Sequence, residues 1–498
     1  MKTAAARYPV AVGAAVLTVA YLWYYMSAQA LPGNSGAFPQ GWWGWFDQGK
    51  TLESAQALAG RDLSPGRHWY PLGYALLGAP FLGMGFRGHP FVFVDLACLL
   101  IAFLGFVSFA RACGVGRATA ALLFVAAVLW DRQVFGEWAI PWNSTPAAAL
   151  VWTILALCGR WLEGARRPVL VGVLAGAVPF FRPTEAVPVA ACLLVVLAAD
   201  WRAGALRPRH LLGLAAGGAL AVAPQVGLHL LVYGPQPSDY MRVSRELGFT
   251  LHDLGWKAYV VLVDPYQWFT DGQGLLRRLP WVALALAGLA PALARGRAAA
   301  ALAAALAAHL LLYVSYIDLL PTGLWRFNNI HYWKWAVPGY ALLAWLLVLD
   351  LVRWRRAAPS YAAAGGLAVV GLLATVRIAP RPVGPGEPAK MLEFPGPAPG
   401  FDQSNFGNFT LRDAQGPLRN VPEIRAIPVP GGMRVIALTR DIEGPVVFEP
   451  GHGFAPALVA AEPLRFGAGL VLGRPCWLAA FVCGRRPVND LLPPPPSR

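Results

Sequence analysis

Trp42-Trp43-Gly44-Trp45-Phe46-Asp47-Gln48-Gly49-Lys50 is a polar, aromatic-rich stretch that follows the first long apolar segment of the chain. About twenty residues later His68-Trp69-Tyr70-Pro71-Leu72-Gly73-Tyr74 leads back into apolar sequence. An acid in the first loop between apolar segments, followed by a Tyr-Pro re-entry, is costly to place at a bilayer surface. Ionisable groups in such positions face a cavity far more often than lipid.

Working outward, the composition agrees with a bilayer setting. The chain is 57% hydrophobic and 13% charged, with mean hydropathy +0.49 and 20 Trp. Soluble domains carry about 25% charge, so these figures define a polytopic membrane protein. The net charge of +15 is not a nucleic-acid signature here, because the Arg residues sit in short clusters between apolar runs. Cys98, Cys113, Cys158 and Cys192 fall in or beside those runs, where thiols act as small hydrophobes. Cys476 and Cys483 lie in a C-terminal region placed outside the cytoplasm, an environment compatible with a disulfide. No spacing resembles a zinc site.

The clusters Arg111/Arg117, Arg160/Arg166/Arg167, Arg202/Arg207/Arg209, Arg295/Arg297 and Arg353/Arg355/Arg356 mark inner ends of spans. The apolar runs between them predict about eleven spans: 9–31, 90–110, 118–134, 145–160, 168–181, 186–199, 210–232, 279–294, 298–317, 333–352 and 358–378. The first is read as an uncleaved anchor, with Tyr21, Trp23, Tyr24 and Tyr25 as an interfacial belt, although Ser27-Ala28-Gln29-Ala30 mimics a cleavage site. Residues 70–86 are apolar but broken by Pro71, Gly73, Gly78, Pro80 and Gly83, and read as a re-entrant helix. The outer side then collects the 32–69 loop, the 131–143 loop, the 181–185 turn, and the 234–278 and 318–332 loops.

From about residue 380 Pro and Gly become dense and short alternating runs follow, including Met433–Thr439, Pro445–Phe448 and Cys476–Val482. They predict a small extracytoplasmic β domain over 380–498 with a Pro-rich tail, after a membrane domain over 1–379. The fold class expected is an all-α polytopic membrane protein with about eleven spans, one re-entrant segment and that β domain.

These features together resemble the GT-C superfamily of integral-membrane glycosyltransferases. The likeness rests on the early acid in the first outer loop, the helix-like stretch Gln48 to Gly60 and the Tyr70-Pro71-Leu72-Gly73-Tyr74 re-entry. An Arg in the turn between two short spans and a C-terminal domain outside also match. Protein O-mannosyltransferases and the lipid A aminoarabinose transferase share this plan. The paired Asp-Glu of the former is absent, since Asp47 stands between Phe46 and Gln48.

The resemblance implies inverting transfer of a sugar from a polyprenyl-phosphate carrier to a cell-envelope glycan or lipid acceptor at the outer face of a bacterial inner membrane. Asp47 would deprotonate or orient the acceptor hydroxyl, or ligate a divalent cation such as Mg or Mn, with Glu137 as a second acid. Asp47 could equally be a solvated loop residue or a helix cap. Arg182 would hold the leaving phosphate, or merely close a turn with Glu185. Arg326 and Lys334 would join Arg182, with Asn328 and His331 bonding sugar hydroxyls. The bland alternative for that stretch is an aromatic belt with snorkelling cations. Lys50, His68 and Tyr70 complete the expected substrate contacts.

Two rivals remain. A transporter of lipid-linked sugars would need ionisable groups within the spans, of which Asp95 is the clearest. A non-catalytic scaffold for envelope assembly would use the β domain as its binding module.

Overall fold

The computed structural model describes residues 8–28, 41–249, 274–316 and 324–352, isolated positions between 251 and 263, residue 319, and the backbone of short strands between 390 and 463. The described part is mostly helical. The helices are α1 (Tyr8–Ala28), α2 (Phe46–Ala59), α3 (Leu72–Gly83), α4 (Val92–Ala112), α5 (Arg117–Leu129), α6 (Arg132–Ala139), α7 (Ser144–Leu162) and α8 (Pro168–Phe181). They continue with α9 (Ala186–Arg202), α10 (Pro208–Tyr233), α11 (Asp239–Leu247), α12 (Leu275–Arg278), α13 (Val282–Arg295), α14 (Arg297–Ser315) and α15 (Ala336–Val352).

Among the described residues six helical segments are long and apolar enough to cross a membrane: α1, α4, α7, Pro183–Arg202, α10 and α14. They make this a multi-pass membrane protein. A seventh arises if α5 and α6, bent by 95° at their junction, are taken as one. The shorter α8, α13 and α15 fall below that length, so the eleven predicted segments give a smaller count of full-length spans. Segment 358–378 lies outside the described residues, and each of the other ten overlaps a helix. Helix α3, at 12 residues with Pro80 inside, is about 18 Å long against a hydrocarbon thickness of about 30 Å.

The belt expected on α1 is not one. Tyr21 and Tyr25 are buried, Tyr21 donating to the carbonyl of Val92 (2.9 Å) and Tyr25 bonding His89 (3.0 Å). Trp23 alone of the four is exposed. The aromatic spacing serves packing against α4 as well as an interface.

Two close approaches fix the helices that carry the candidate site. Gly73, in the first turn of α3, lies against the end of α8, where a Cβ would meet the Phe180 carbonyl at 2.5 Å. Helices α8 and α10 cross along Gly172 and Gly176 on one side and Gly213 and Gly217 on the other, a small-residue seam of the kind that lets membrane helices touch backbone to backbone. A Cβ on Gly217 would intrude on the Val169 carbonyl. Gly217→Leu is expected to lower stability by about 1–3 kcal/mol through over-packing, read as a fall in the thermal midpoint of the purified protein. At one end of the same group, Asp200 accepts from Arg166 (2.7 and 3.0 Å) and the Trp161 indole (2.8 Å), clamping the α7–α8 turn to α9.

Apart from α12 and the last residues of α11 and α14, the helices above belong to one compact unit comprising residues 1–246, 279–312 and 330–368. A second unit comprises residues 247–278, 313–329 and 369–498, so it takes in two segments that precede the expected boundary at 379. Within the second unit Phe249 forms a bridge with Tyr316, their rings stacked at 4.8 Å, and Arg278 lies 3.8 Å over Trp325. Also in it are strands β1 (Lys390–Pro395), β2 (Phe409–Asp413), β3 (Gly416–Pro417), β4 (Ile424–Val429), β5 (Gly432–Ala437), β6 (Val446–Pro450), β7 (Ala457–Val459) and β8 (Ala461–Pro463). Their backbones pair antiparallel in the orders β4-β5-β1-β8 and β3-β2-β6-β7. Cys476, Cys483 and the run 476–482 lie outside the described residues.

Candidate functional site

Asp47 occupies the first turn of α2, where a negative charge is favoured by the helix dipole. It is not the cap, because Trp45 holds that position without a side-chain bond. Instead Asp47 Oδ1 accepts a hydrogen bond from the Tyr70 hydroxyl, joining the two halves of the motif that opens the sequence. The Asp47 carbonyl accepts from Thr51 (2.8 Å), and the Tyr70 ring leans on Tyr240 at 5.3 Å. Asp47 and Tyr70 are half-buried, so this is a pinned carboxylate with access to the surface.

Lys50 and His68 brace this loop. Lys50 pairs with Glu53 (2.9 Å), which also receives Arg67 (2.8 Å). His68 is buried, with Nδ1 bonded to Ser54 (2.8 Å) and Nε2 to the Asp62 carbonyl (3.0 Å). Both ring nitrogens are used inside the protein, so His68 braces the loop from within. Its own carbonyl accepts from Tyr233 (2.8 Å), tying the loop to the end of α10.

A second group lies deeper, assembled from α6, the start of α7, the α8–α9 turn and the segment before α15. Asp131 caps α6 by accepting from the Gln133 and Val134 amides, and the 95° bend carries Glu137 inward. Arg182 donates to Asn143 (3.0 Å), stacks 4.2 Å over Tyr332 and stands 3.9 Å from Glu185. Glu185 in turn accepts from the Trp335 indole (2.6 Å). Arg182 thus sits at the turn with Glu185 and is a buried guanidinium. Lys334 donates to Thr145 (2.6 Å), and His331 bonds Ser144 (3.3 Å) while stacking flat on Trp142 at 3.8 Å.

Burial governs the electrostatics here. Glu137 and Lys334 lie outside the spanning helices. Desolvation pushes the Glu137 carboxyl up to about 8, against the pull of Lys334 and the nearby Trp142 indole. Desolvation likewise pushes Lys334 down to about 7, opposed by Glu137 and Asp95. His331 falls well below its ordinary range through burial and the charges of Arg182 and Lys334, leaving a neutral imidazole. Asp95, in the first turn of α4, accepts from the buried Tyr74 hydroxyl (2.7 Å). Lys334 thus feels the field of two buried acids, Glu137 and Asp95.

Asp47 and Tyr70 are brought together, and so are Glu137, Arg182, Glu185, His331 and Lys334. Gln48 links the two groups, its amide donating to the Pro141 carbonyl (3.2 Å) just before Trp142. Arg326 and Asn328 belong to the second unit. The Arg326 side chain lies outside the described residues, and Asn328 is half-buried with φ at 59°. Asn143, Ser144 and Thr145 were not singled out in the sequence. The run Trp142-Asn143-Ser144-Thr145-Pro146 resembles an ordinary helix start, and only its partners nearly 190 residues later reveal it. Among the described residues no three His, Cys, Asp or Glu side chains group as cation ligands.

No family model matches the chain, and neither the curated proteins nor the solved structures contain a match.

Proposed function

We propose that this protein is a membrane glycosyltransferase that moves a sugar from a polyprenyl-phosphate carrier to a glycan or lipid acceptor at the outer face of a bacterial inner membrane, with inversion. The observation that carries this reading is the pinned, half-exposed Asp47 carboxylate beside a buried set holding two cations, with Gln48 joining them. The acceptor hydroxyl attacks the anomeric carbon and its proton passes to Asp47. The bond from that carbon to the phosphate oxygen breaks, and polyprenyl phosphate leaves with the electron pair. Arg182 and Lys334 offset the phosphate charge. The β-rich region over 380–498 completes the reading as an extracytoplasmic domain, and no nucleic acid partner is involved.

Purified full-length protein in lipid nanodiscs should release polyprenyl phosphate from a glycosylated carrier only when an acceptor glycolipid is added. Failure across a panel of acceptors, with carrier movement across liposomes instead, would replace this reading by the transporter. The buried Asp95, Glu137 and Lys334 favour that second reading, since proton-coupled carriers keep such groups inside the bundle.

Tyr70→Phe keeps the ring against Tyr240 and removes one hydrogen bond to a charged acceptor, a contribution of about 1.5–3 kcal/mol. Turnover should fall about ten-fold or more by the same assay, with the thermal midpoint little changed.

A further inference from the structure

Three side chains around the junction of the two groups carry polar atoms that no described residue satisfies. Gln48 is fully buried and its Oε1 has no hydrogen-bond partner among the described residues. Glu137, 1% exposed, has none for either carboxylate oxygen, and Trp142, 7% exposed, has none for its indole N–H. They are neighbours: the Gln48 amide bonds the carbonyl next to Trp142, and the Trp142 indole stands beside the Glu137 carboxyl, whose ionisation it favours.

Each buried polar atom left unpaired costs about 1–3 kcal/mol, so such a cluster is a preformed demand for a ligand. The demand has a definite chemistry. Acceptor oxygens on Gln48 and Glu137, with donors on Trp142 and on the Glu137 acid that burial keeps protonated, face a group that must both give and take hydrogen bonds. Hydroxyls do both, whereas phosphate and carboxylate anions only accept. The ring of Trp142, stacked on neutral His331, adds an aromatic border of the kind that lines polyol sites.

We infer that Gln48, Glu137 and Trp142 form the subsite for the hydroxyl groups of the carrier-linked sugar, one residue along the chain from the proposed base and separate from the phosphate contacts at Arg182 and Lys334. This rests on the transferase reading for the identity of the ligand, while its test measures binding alone.

Full-length protein in nanodiscs is titrated with a short-chain polyprenyl phosphate bearing a neutral hexose, and with the same lipid phosphate lacking sugar. Wild type is expected to bind the glycosylated lipid at least about ten-fold tighter, equivalent to about 1.4 kcal/mol. Gln48→Met and Trp142→Phe should each reduce that preference several-fold and leave affinity for the bare lipid phosphate in place. Trp142→Phe keeps the ring and guards against a packing failure in the Gln48 variant. Equal affinity for both lipids in wild type, or an undiminished preference in both variants, overturns the subsite. A retained preference without turnover under any acceptor overturns the transferase reading and leaves the subsite standing.

Discussion

Asp47→Asn should reduce sugar transfer by about 10²- to 10⁴-fold, the range expected when a positioned general base is lost. Asn is nearly isosteric and its amide oxygen still accepts from Tyr70, so α2 and its loop should keep their place. What disappears is the capacity to take a proton and the negative charge beside the acceptor hydroxyl. The measurement is release of polyprenyl phosphate with acceptor present, wild type beside variant, with carrier binding and thermal midpoint followed in parallel. Transfer at wild-type rate in the variant would remove Asp47 from the mechanism and make Glu137 the acid to test next.

Lys334→Met should be clearly destabilising. It strands the buried Thr145 hydroxyl that the Lys334 amine bonds at 2.6 Å, and leaving a buried polar group without its partner costs about 1–3 kcal/mol. At pH 8 and above, where Glu137 ionises, the double change Lys334→Met with Glu137→Gln should recover part of the loss, because the buried negative charge goes too. A double variant no more stable than Lys334→Met would show that the lysine acts through packing alone. The pair also sets a pH signature. Glu137 ionises at its ordinary 4.5 when unfolded and at about 8 in the fold, so its protonated form stabilises the fold fully below pH 4.5. That contribution is lost as pH rises towards 8. Lys334 runs the other way, its neutral form favouring the fold above its unfolded value of 10.5 and losing that support as pH falls through about 7. Thermal midpoints of Glu137→Gln and wild type should therefore diverge progressively between pH 5 and 8, with wild type falling behind.

The sequence named candidates in both groups, but it disclosed the proximity of residues only in the near-surface one. Asp47 and Tyr70 stand 23 residues apart on either side of one loop helix, and their approach follows from the chain turning back into apolar sequence. The expected helix from Gln48 to Gly60 is α2, Phe46–Ala59. The Arg clusters at 160–167 and 202–209 sit at helix ends, and the Asp200 clamp brings two of those turns together. By contrast, the span expected over 118–134 and the loop over 131–143 gave no sign of the short helix α6 or of its 95° bend from α5. His68 looked like a ligand because a His beside aromatics at a loop end is chemically capable. Whether its nitrogens are spoken for depends on Ser54 and Asp62, and no local pattern fixes that. The partners of Lys334 lie farther still along the chain, beyond the reach of any periodicity.

That distance has a consequence for biosynthesis. Thr145, which receives the Lys334 ammonium, is made 189 residues before it. Helix α4 thus enters the bilayer carrying Asp95, and Thr145 follows at the start of α7, while Lys334 is still untranslated. An acid that enters neutral avoids several kcal/mol of desolvation per ion. A ribosome that stalls before Lys334 would leave these early helices without the side chain that closes the buried group.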